Sequence, residues 1–202
     1  MTVLSDRDIW REIKKKKGRR LIFDPPLVPD QVQTSTVDLR VGYRFVRLRF
    51  QGRATAAAAE LHIILEKLED YGSVEKDYGE EIIVRDGERF HLGPGDSALA
   101  WTYEKIVIPP RLAGRVEGRS TLARIGISVH NTAPTIHPGF GYSADGRPIG
   151  HPICLELTNL RQDVCFDITP ASVKDRLCQL ILETLTSVPR ELYFRRGQFR
   201  PE

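Results

Sequence analysis

Alternation of apolar and polar residues between positions 36 and 184 predicts a series of β-strands. In the segment YRFVRLRF, which begins at Tyr43, apolar residues alternate with arginines, as in a strand with one buried face. Further runs rich in β-branched and aromatic residues are separated by Gly, Pro and Asp-Gly: STVDLRVG, EEIIVRDGERFHL, SALAWTYEKIVI, LAGRVEG, ICLELTNL, VCFDIT and LCQLILETL. This spacing predicts a mainly β fold, a sandwich or barrel of the jelly-roll kind.

Two helices are predicted beside the strands. Ser5 followed by Asp8 is typical of a helix start with an acidic first turn, and Ile9 and Ile13 follow at helical spacing. The alanine-rich segment 55–70, TAAAAELHIILEKLED, predicts one helix inserted between strands.

Length and composition favour a soluble protein with one domain over residues 1–202. The net charge of +3 gives no reason to expect a nucleic-acid partner. The N-terminus lacks an apolar signal region, and no run approaches the roughly 18 apolar residues of a membrane span. Cys154, Cys165 and Cys178 include no CxxC pair, so neither a disulfide framework nor a zinc knuckle is expected. We therefore expect a cytoplasmic protein without a membrane partner.

The heptapeptide GRSTLAR, which begins at Gly118 between two predicted strands, concentrates groups that bind anions. The glycine allows a tight turn, and Ser120 and Thr121 suit the first turn of a short helix. Arg119 and Arg124 could add charge-assisted hydrogen bonds to phosphate oxygens or to a nucleobase carbonyl. The alternative is a capped surface helix with two solvated arginines.

Glu156 lies in the middle of the apolar run ICLELTN and is the candidate carboxylate. It could point to solvent on the alternate face of a strand. It could equally point into a pocket, where desolvation would suit it to general acid and base catalysis.

Zinc chemistry is poorly supported by the sequence. The five histidines occur in neither an HxE nor an HxxxH arrangement: His62, His91, His130, His137 and His151. Zinc-dependent nucleobase deaminases carry HxE followed by PCxxC, and this chain has neither motif. The glycine-rich phosphate motifs GxxxxGK[ST] and GxGxxG are also missing.

The order of the motifs along the chain resembles that of the dCTP deaminases of the trimeric dUTPase superfamily. The motifs are TVDLRVG at 36–42, GPGDSALAWTYE at 93–104, EGRSTLARIGISVHNTA at 117–133, IHPGF at 136–140 and ICLELTN at 153–159. The similarity extends from the opening SDRDI to the C-terminal tail. It implies a distorted jelly-roll β-barrel, dUTPase-like, that assembles as a homotrimer with active sites at subunit interfaces.

The resemblance also implies the reaction. Such enzymes deaminate dCTP to dUTP and ammonia without zinc, and they bind Mg²⁺ only through the triphosphate. The family's general acid and base falls on Glu156, while Ser120 and Arg124 match the residues that position the water and the base. Arg119 and Thr121 match triphosphate contacts, and the backbone around Ala133 matches the segment that reads the cytosine edge.

The remaining substrate-binding positions implied by the resemblance are Leu122, Ala123, His137, Cys154, Leu155, Gln179, Tyr193 and Gln198. Of these, Gln179 could instead have a structural role. The tail 190–202 resembles the family segment that closes over the nucleotide.

Two features depart from the family pattern. His137 occupies the position of an aspartate that contacts the deoxyribose 3′-hydroxyl and, in dUTP-hydrolysing relatives, helps to position water; a histidine is no constitutive carboxylate at neutral pH. Residues 141–152, here called the insert, make this connection about nine residues longer than usual, which loop entropy tolerates. The insert is either a surface excursion or a segment whose Tyr142, Asp145 or Arg147 alters the pocket or a subunit contact.

Three functions therefore remain open at this stage. The first is deamination of dCTP to dUTP. The second is a nucleotide pyrophosphohydrolase acting on dUTP, or a bifunctional deaminase that continues to dUMP and pyrophosphate; in either, Asp145 could replace the missing aspartate. The third is a nucleotide-binding relative without catalysis.

Overall fold

The computed structural model describes residues 2–16, 20–48, 79–172, 174 and 176–196. The helix predicted at 55–70 and the candidate residue Gln198 lie outside the described residues.

Twelve strands and three α-helices make up the described part of the chain. The strands are β1 Thr2–Val3, β2 Ile22–Asp24, β3 Thr36–Leu48, β4 Gly79–Ile83, β5 Phe90–Leu92, β6 Ser97–Val107, β7 Leu112–Gly118, β8 Ile127–Ser128, β9 Thr135–Ile136, β10 His151–Asn159, β11 Phe166–Ile168 and β12 Arg176–Thr184. The α-helices are α1 Asp6–Ile13, α2 Ser120–Ile125 and α3 Tyr193–Arg196, and Pro29–Gln31 form a 3₁₀ turn. The mainly β prediction is confirmed.

The strands pair antiparallel in the order β8-β10-β6-β3-β12-β7-β9, with β1, β2 and β4 attached at the sides and β5 paired with β11. This order places β10 beside β6, and it places β12 between β3 and β7. Segments far apart in the sequence therefore meet on a single curled sheet.

One predicted strand boundary, between Gly42 and Tyr43, is wrong. The sequence pattern predicts two runs, one ending at Gly42 and one beginning at Tyr43, but the structure has a single strand, Thr36–Leu48. Its register against β6 shifts between Val41 and Phe45. A Cβ on Gly42 would lie 3.1 Å from the Trp101 carbonyl oxygen. The irregularity breaks the alternation without ending the strand.

Helix α1 begins as predicted. The Ser5 Oγ accepts a hydrogen bond from the Asp8 N–H at 3.3 Å, and Ile9 is fully buried against the core. The helix ends at Ile13, before the lysine run. None of the described helices has the length and apolar character that crossing a membrane requires.

A charged network is buried between β3 and β6. Glu104 is 0% exposed, and its carboxylate accepts hydrogen bonds from Arg40 Nε at 2.7 Å and from the Arg40 N–H at 3.0 Å. Gln31 Nε2 donates a third bond to Glu104 at 2.8 Å and also bonds the Asp38 carbonyl at 3.0 Å. Every oxygen of the carboxylate therefore has a donor, as a buried charge requires.

Candidate active site

Strand β10 presents Glu156 on the face opposite the core. The core-facing side chains are at most 3% exposed: Ile153, Leu155 and Leu157. Because strand side chains alternate, Cys154 and Glu156 project from the other face. Glu156 is half-buried, and its Oε2 accepts a hydrogen bond from the Asn131 N–H at 3.0 Å. Its own N–H donates to the Val129 carbonyl at 3.1 Å, so residues 129–131 hold the carboxylate from one side.

Helix α2 is linked to β10 through β8. Gly126 ends the helix with φ of +95°, a left-handed conformation that favours glycine, and its N–H donates to the Ala123 carbonyl at 3.1 Å. The chain then enters β8, which pairs with Thr158 and Asn159 of β10. Local turn chemistry thus fixes α2 beside the strand that carries the carboxylate.

Helix α2 exposes the candidate side chains Ser120, Thr121, Ala123 and Arg124, while Leu122 packs against the core. Arg119 is half-buried: its Nη1 donates to the Arg176 carbonyl at 3.2 Å, and its Nη2 lies 3.8 Å from Asp38 Oδ2. The Arg119 guanidinium is therefore held by other residues, although its side chain remains 37% exposed. Arg124 is exposed, and within the described ranges it forms no hydrogen bond or ion pair.

A pocket of about 310 Å³ opens between α2, β11 and the start of β12. Three cationic side chains line it, Arg119, Lys174 and Arg176, together with Thr121. The acid at its wall, Asp167, is 3.0 Å from the imidazole of His91. Because cations outnumber acids here, the pocket suits an anion.

Asp38 lies close to two of these cations, Arg119 and Arg176. It is 3% exposed, and its Oδ2 lies 3.4 Å from Arg176 Nη1 as well as 3.8 Å from Arg119 Nη2. Asp38 belongs to the motif TVDLRVG, but the sequence indicated no role for Asp38 or for Arg176. They are distant in sequence, and only the pairing of β3 with β12 brings them together.

The three residues predicted to be catalytic are not hydrogen-bonded to one another in the described part of the structure. In the described part of the chain, no hydrogen bond or ion pair joins Glu156 to Ser120 or Arg124. The carboxylate lies on β10, and the Ser120 and Arg124 side chains are exposed on α2. Ala133 is exposed beyond the Asn131 amide that holds Glu156.

His137 and Tyr193 are brought together. Their rings stack with centroids 5.7 Å apart and planes 15° apart. The Tyr193 N–H donates to the Pro138 carbonyl at 2.9 Å, which fixes the start of α3 beside His137.

Gln179 has the structural role that was left open. Its Nε2 donates to the Gly118 carbonyl at 3.0 Å, and its Oε1 accepts from Thr36 Oγ1 at 3.2 Å. Both ends of the amide thus join β12 to its two neighbouring strands.

Comparison with known proteins agrees with this architecture. The family model described as dCTP deaminase-like matches residues 3–185. A protein of Methanothermobacter thermautotrophicus named "dCTP deaminase, dUMP-forming" is 36% identical over 196 residues, which is 96% of this chain and 84% of the relative. One of Dictyoglomus turgidum with the same name is 34% identical over 196 residues, covering 96% and 87%.

A solved structure shares the fold. The 2′-deoxycytidine 5′-triphosphate deaminase of Agrobacterium tumefaciens superimposes with a TM-score of 0.58 at 20% identity, over 91% of this chain. The match covers 48% of that protein, so this chain spans about half its length. The expectation of a dUTPase-like, jelly-roll-like β fold is confirmed.

With the family model covering nearly the whole chain and two relatives more than 30% identical along most of their length, the resemblance inferred from the motifs is confirmed: the chain belongs to the dCTP deaminase-like family.

Proposed function

We propose that this protein hydrolytically deaminates dCTP to dUTP and ammonia. The observation that carries the proposal is Glu156, a half-buried carboxylate on the outer face of β10 whose Oε2 is held by the Asn131 N–H. That bond orients one oxygen and leaves the other available for a water molecule. The names of the relatives support an enzyme that acts on the cytosine amino group.

In this reaction Glu156 accepts a proton from water as the water oxygen bonds to C4 of cytosine. The carboxyl delivers that proton to the ring nitrogen N3. It then takes the second proton, from the hydroxyl now on C4, and passes it to the amine, so that the C4 carbonyl forms, the C4–N bond breaks and ammonia departs. Arg124 and Ser120 would orient the water and the base, since a guanidinium stays charged while a hydroxyl both donates and accepts. The exposed peptide around Ala133 would present backbone groups to the cytosine edge.

The complete site would lie between subunits of a homotrimer. The proposal is supported by Ser120 and Arg124, which are exposed and form no hydrogen bond or ion pair with Glu156 in the described chain. A second copy that places its α2 against β10 would supply the missing groups and exclude water.

The cationic pocket would receive the triphosphate. Arg119 and Thr121 line it, and Mg²⁺ would arrive bound to the phosphate oxygens, which are the hard ligands it prefers. Asp38 would act indirectly, since its carboxylate already lies against Arg119 and Arg176. No zinc is needed for the proton transfers assigned to Glu156.

A product assay tests the proposal. Chromatography of dCTP incubations with Mg²⁺ is expected to show dUTP and equimolar ammonia, with activity kept when a zinc-selective chelator is added. Tight binding of dCTP with no product after long incubation would contradict the proposal and favour the non-catalytic alternative.

A second candidate is the bifunctional reaction, in which dUTP is hydrolysed further to dUMP and pyrophosphate. The names of the two relatives, which are dUMP-forming, favour it. Asp145 gives it no support, because its carboxylate is bonded within the insert to Ser143 and to Arg147 Nε at 2.6 Å. Pyrophosphate released from dCTP and from dUTP, measured separately, distinguishes the two candidates.

Replacing Lys174, which lines the cationic pocket, should selectively impair binding of the triphosphate. In Lys174→Met we expect KM for dCTP to rise about tenfold, the usual magnitude for one hydrogen bond to a charged group, with little change in KM for dCMP. Lys14→Met, an exposed lysine at the end of α1, is the control for net charge. An equal rise for dCTP and dCMP would show that Lys174 does not contact the phosphates.

A further inference from the structure

The insert folds as a compact turn and not as an open excursion. The Ser143 N–H donates to the Arg147 carbonyl at 2.9 Å, and the Gly141 carbonyl accepts from two amides at 3.0 and 2.9 Å, those of Ile149 and Gly150. Asp145 closes the turn, and hydrogen bonds from Ser143 and Arg147 lower the pKa of its carboxyl. The insert therefore has a defined shape of its own.

Tyr142 is the buried aromatic residue of the insert. Its side chain is 6% exposed, and burial raises the pKa of its phenol. Gly141 before it has φ of +80°, and a Cβ there would lie 2.0 Å from the Ile106 carbonyl oxygen. The close approach of the backbone to β6 fixes where the Tyr142 ring lies.

Helix α3 packs on this ring. The Phe194 centroid lies 5.8 Å from that of Tyr142, with the planes inclined by 32°. A Cβ on Gly146 would come within 3.7 Å of Phe194 Cζ, so the turn of the insert also borders the ring. The insert thus packs against the Phe194 side chain of α3.

The neighbouring residue of α3, Tyr193, contacts His137, which is a predicted substrate-binding residue. Tyr193 stacks on His137 and lies 6.1 Å, centroid to centroid, from Phe140. Because Tyr193 and Phe194 are consecutive in one short helix, a contact that fixes Phe194 also fixes Tyr193.

We propose that the insert positions the C-terminal tail. Tyr142 packs against Phe194, and this contact holds Tyr193 against His137 at the proposed nucleotide site. Tyr142 and Phe194 are positioning residues that act through Tyr193. The kinetic consequence rests on the proposed function, whereas the docking of α3 on the insert is independent of it.

Docking is tested on the full chain without nucleotide. Trypsin cleavage after Arg195 is measured in Phe194→Ala, in Tyr142→Ala and in the double variant, each relative to cleavage of its own urea-unfolded chain. We expect cleavage to be about tenfold faster in each single variant, because local opening exposes the site. The double variant should be no faster than the faster single variant, because both substitutions remove one contact.

Two controls separate docking from general damage. Tyr142→Phe keeps the ring and should cleave at the wild-type rate. Val188→Ala, which truncates an exposed apolar residue in the same C-terminal segment, should also be unchanged. Wild-type cleavage in Phe194→Ala, or fully multiplicative effects in the double variant, would overturn the proposal.

Deamination kinetics give the functional consequence. In Phe194→Ala, KM for dCTP should rise about tenfold with a smaller change in kcat, as expected when positioning of one aromatic contact is lost, and Tyr142→Phe should retain wild-type values. Unchanged KM together with faster cleavage would overturn the positioning role. Absence of deamination in the wild type, with the cleavage results as expected, would overturn the proposed function and leave the docking intact.

Discussion

The variant Glu156→Gln should lose deamination by about 10²–10⁴-fold in kcat, the range that a general acid and base contributes. Glutamine has nearly the same shape, and its amide oxygen can still accept the Asn131 N–H that Glu156 Oε2 accepts at 3.0 Å. What it lacks is the ability to take the two protons of the attacking water in turn and pass the first to N3 and the second to the amine. We therefore expect folding and dCTP binding to persist while ammonia release stops.

Glu88→Gln is a closely matched control. Like Glu156, Glu88 accepts a hydrogen bond from a backbone amide, that of Arg85 at 2.9 Å. Glu88, however, lies in an exposed turn outside the site. Its variant should retain wild-type kcat. Full activity in Glu156→Gln, measured as ammonia release at saturating dCTP, would refute the assignment.

Mixing experiments extend this prediction to the subunit interface. Glu156→Gln and Ser120→Ala chains, each impaired alone, should regain part of the activity when dissociated and reassembled together. If both residues came from the same chain, every site in the mixture would carry one defect or the other, and mixing would restore nothing.

The variant Glu104→Ala should lower the free energy of unfolding by about 3–5 kcal/mol, the cost of removing one partner of a buried ion pair. Glu104 is fully buried, and the Arg40 side chain that it holds at 2.7 Å is 11% exposed. Removal of the carboxylate leaves a guanidinium, a backbone N–H and the Gln31 amide without their shared acceptor. Urea unfolding at fixed protein concentration measures the loss.

The comparison variant is Glu81→Ala. Glu81 forms an Arg–Glu pair of nearly the same length, with Arg44 Nε at 2.6 Å, also between neighbouring strands. Its side chain is 57% exposed, so solvent screens the pair, and the expected loss is below about 1 kcal/mol. Equal losses in the two variants would contradict the role assigned to burial.

Local patterns predicted most of the elements because the forces that form them are local. Ser5 and Asp8 specify the start of α1, and alternation in ICLELTN correctly indicates that Glu156 and the leucines occupy opposite faces of β10. The same reasoning divided β3 at Gly42, where a register shift interrupts alternation although the hydrogen-bonded pairing continues. An irregularity of this kind depends on the partner strand, which the sequence does not reveal.

The sequence by itself determined the family, the mainly β fold and the identity of the residues assigned to catalysis, because motifs and alternation are properties of contiguous residues. Only the tertiary structure decided how those residues are supported. Asp38, Arg119 and Arg176 meet because β3, β7 and β12 are neighbours in the sheet, and Tyr142 contacts Phe194 because helix α3 packs on the insert. Such contacts join distant segments, so they depend on the packing of the whole sheet and leave no local signal.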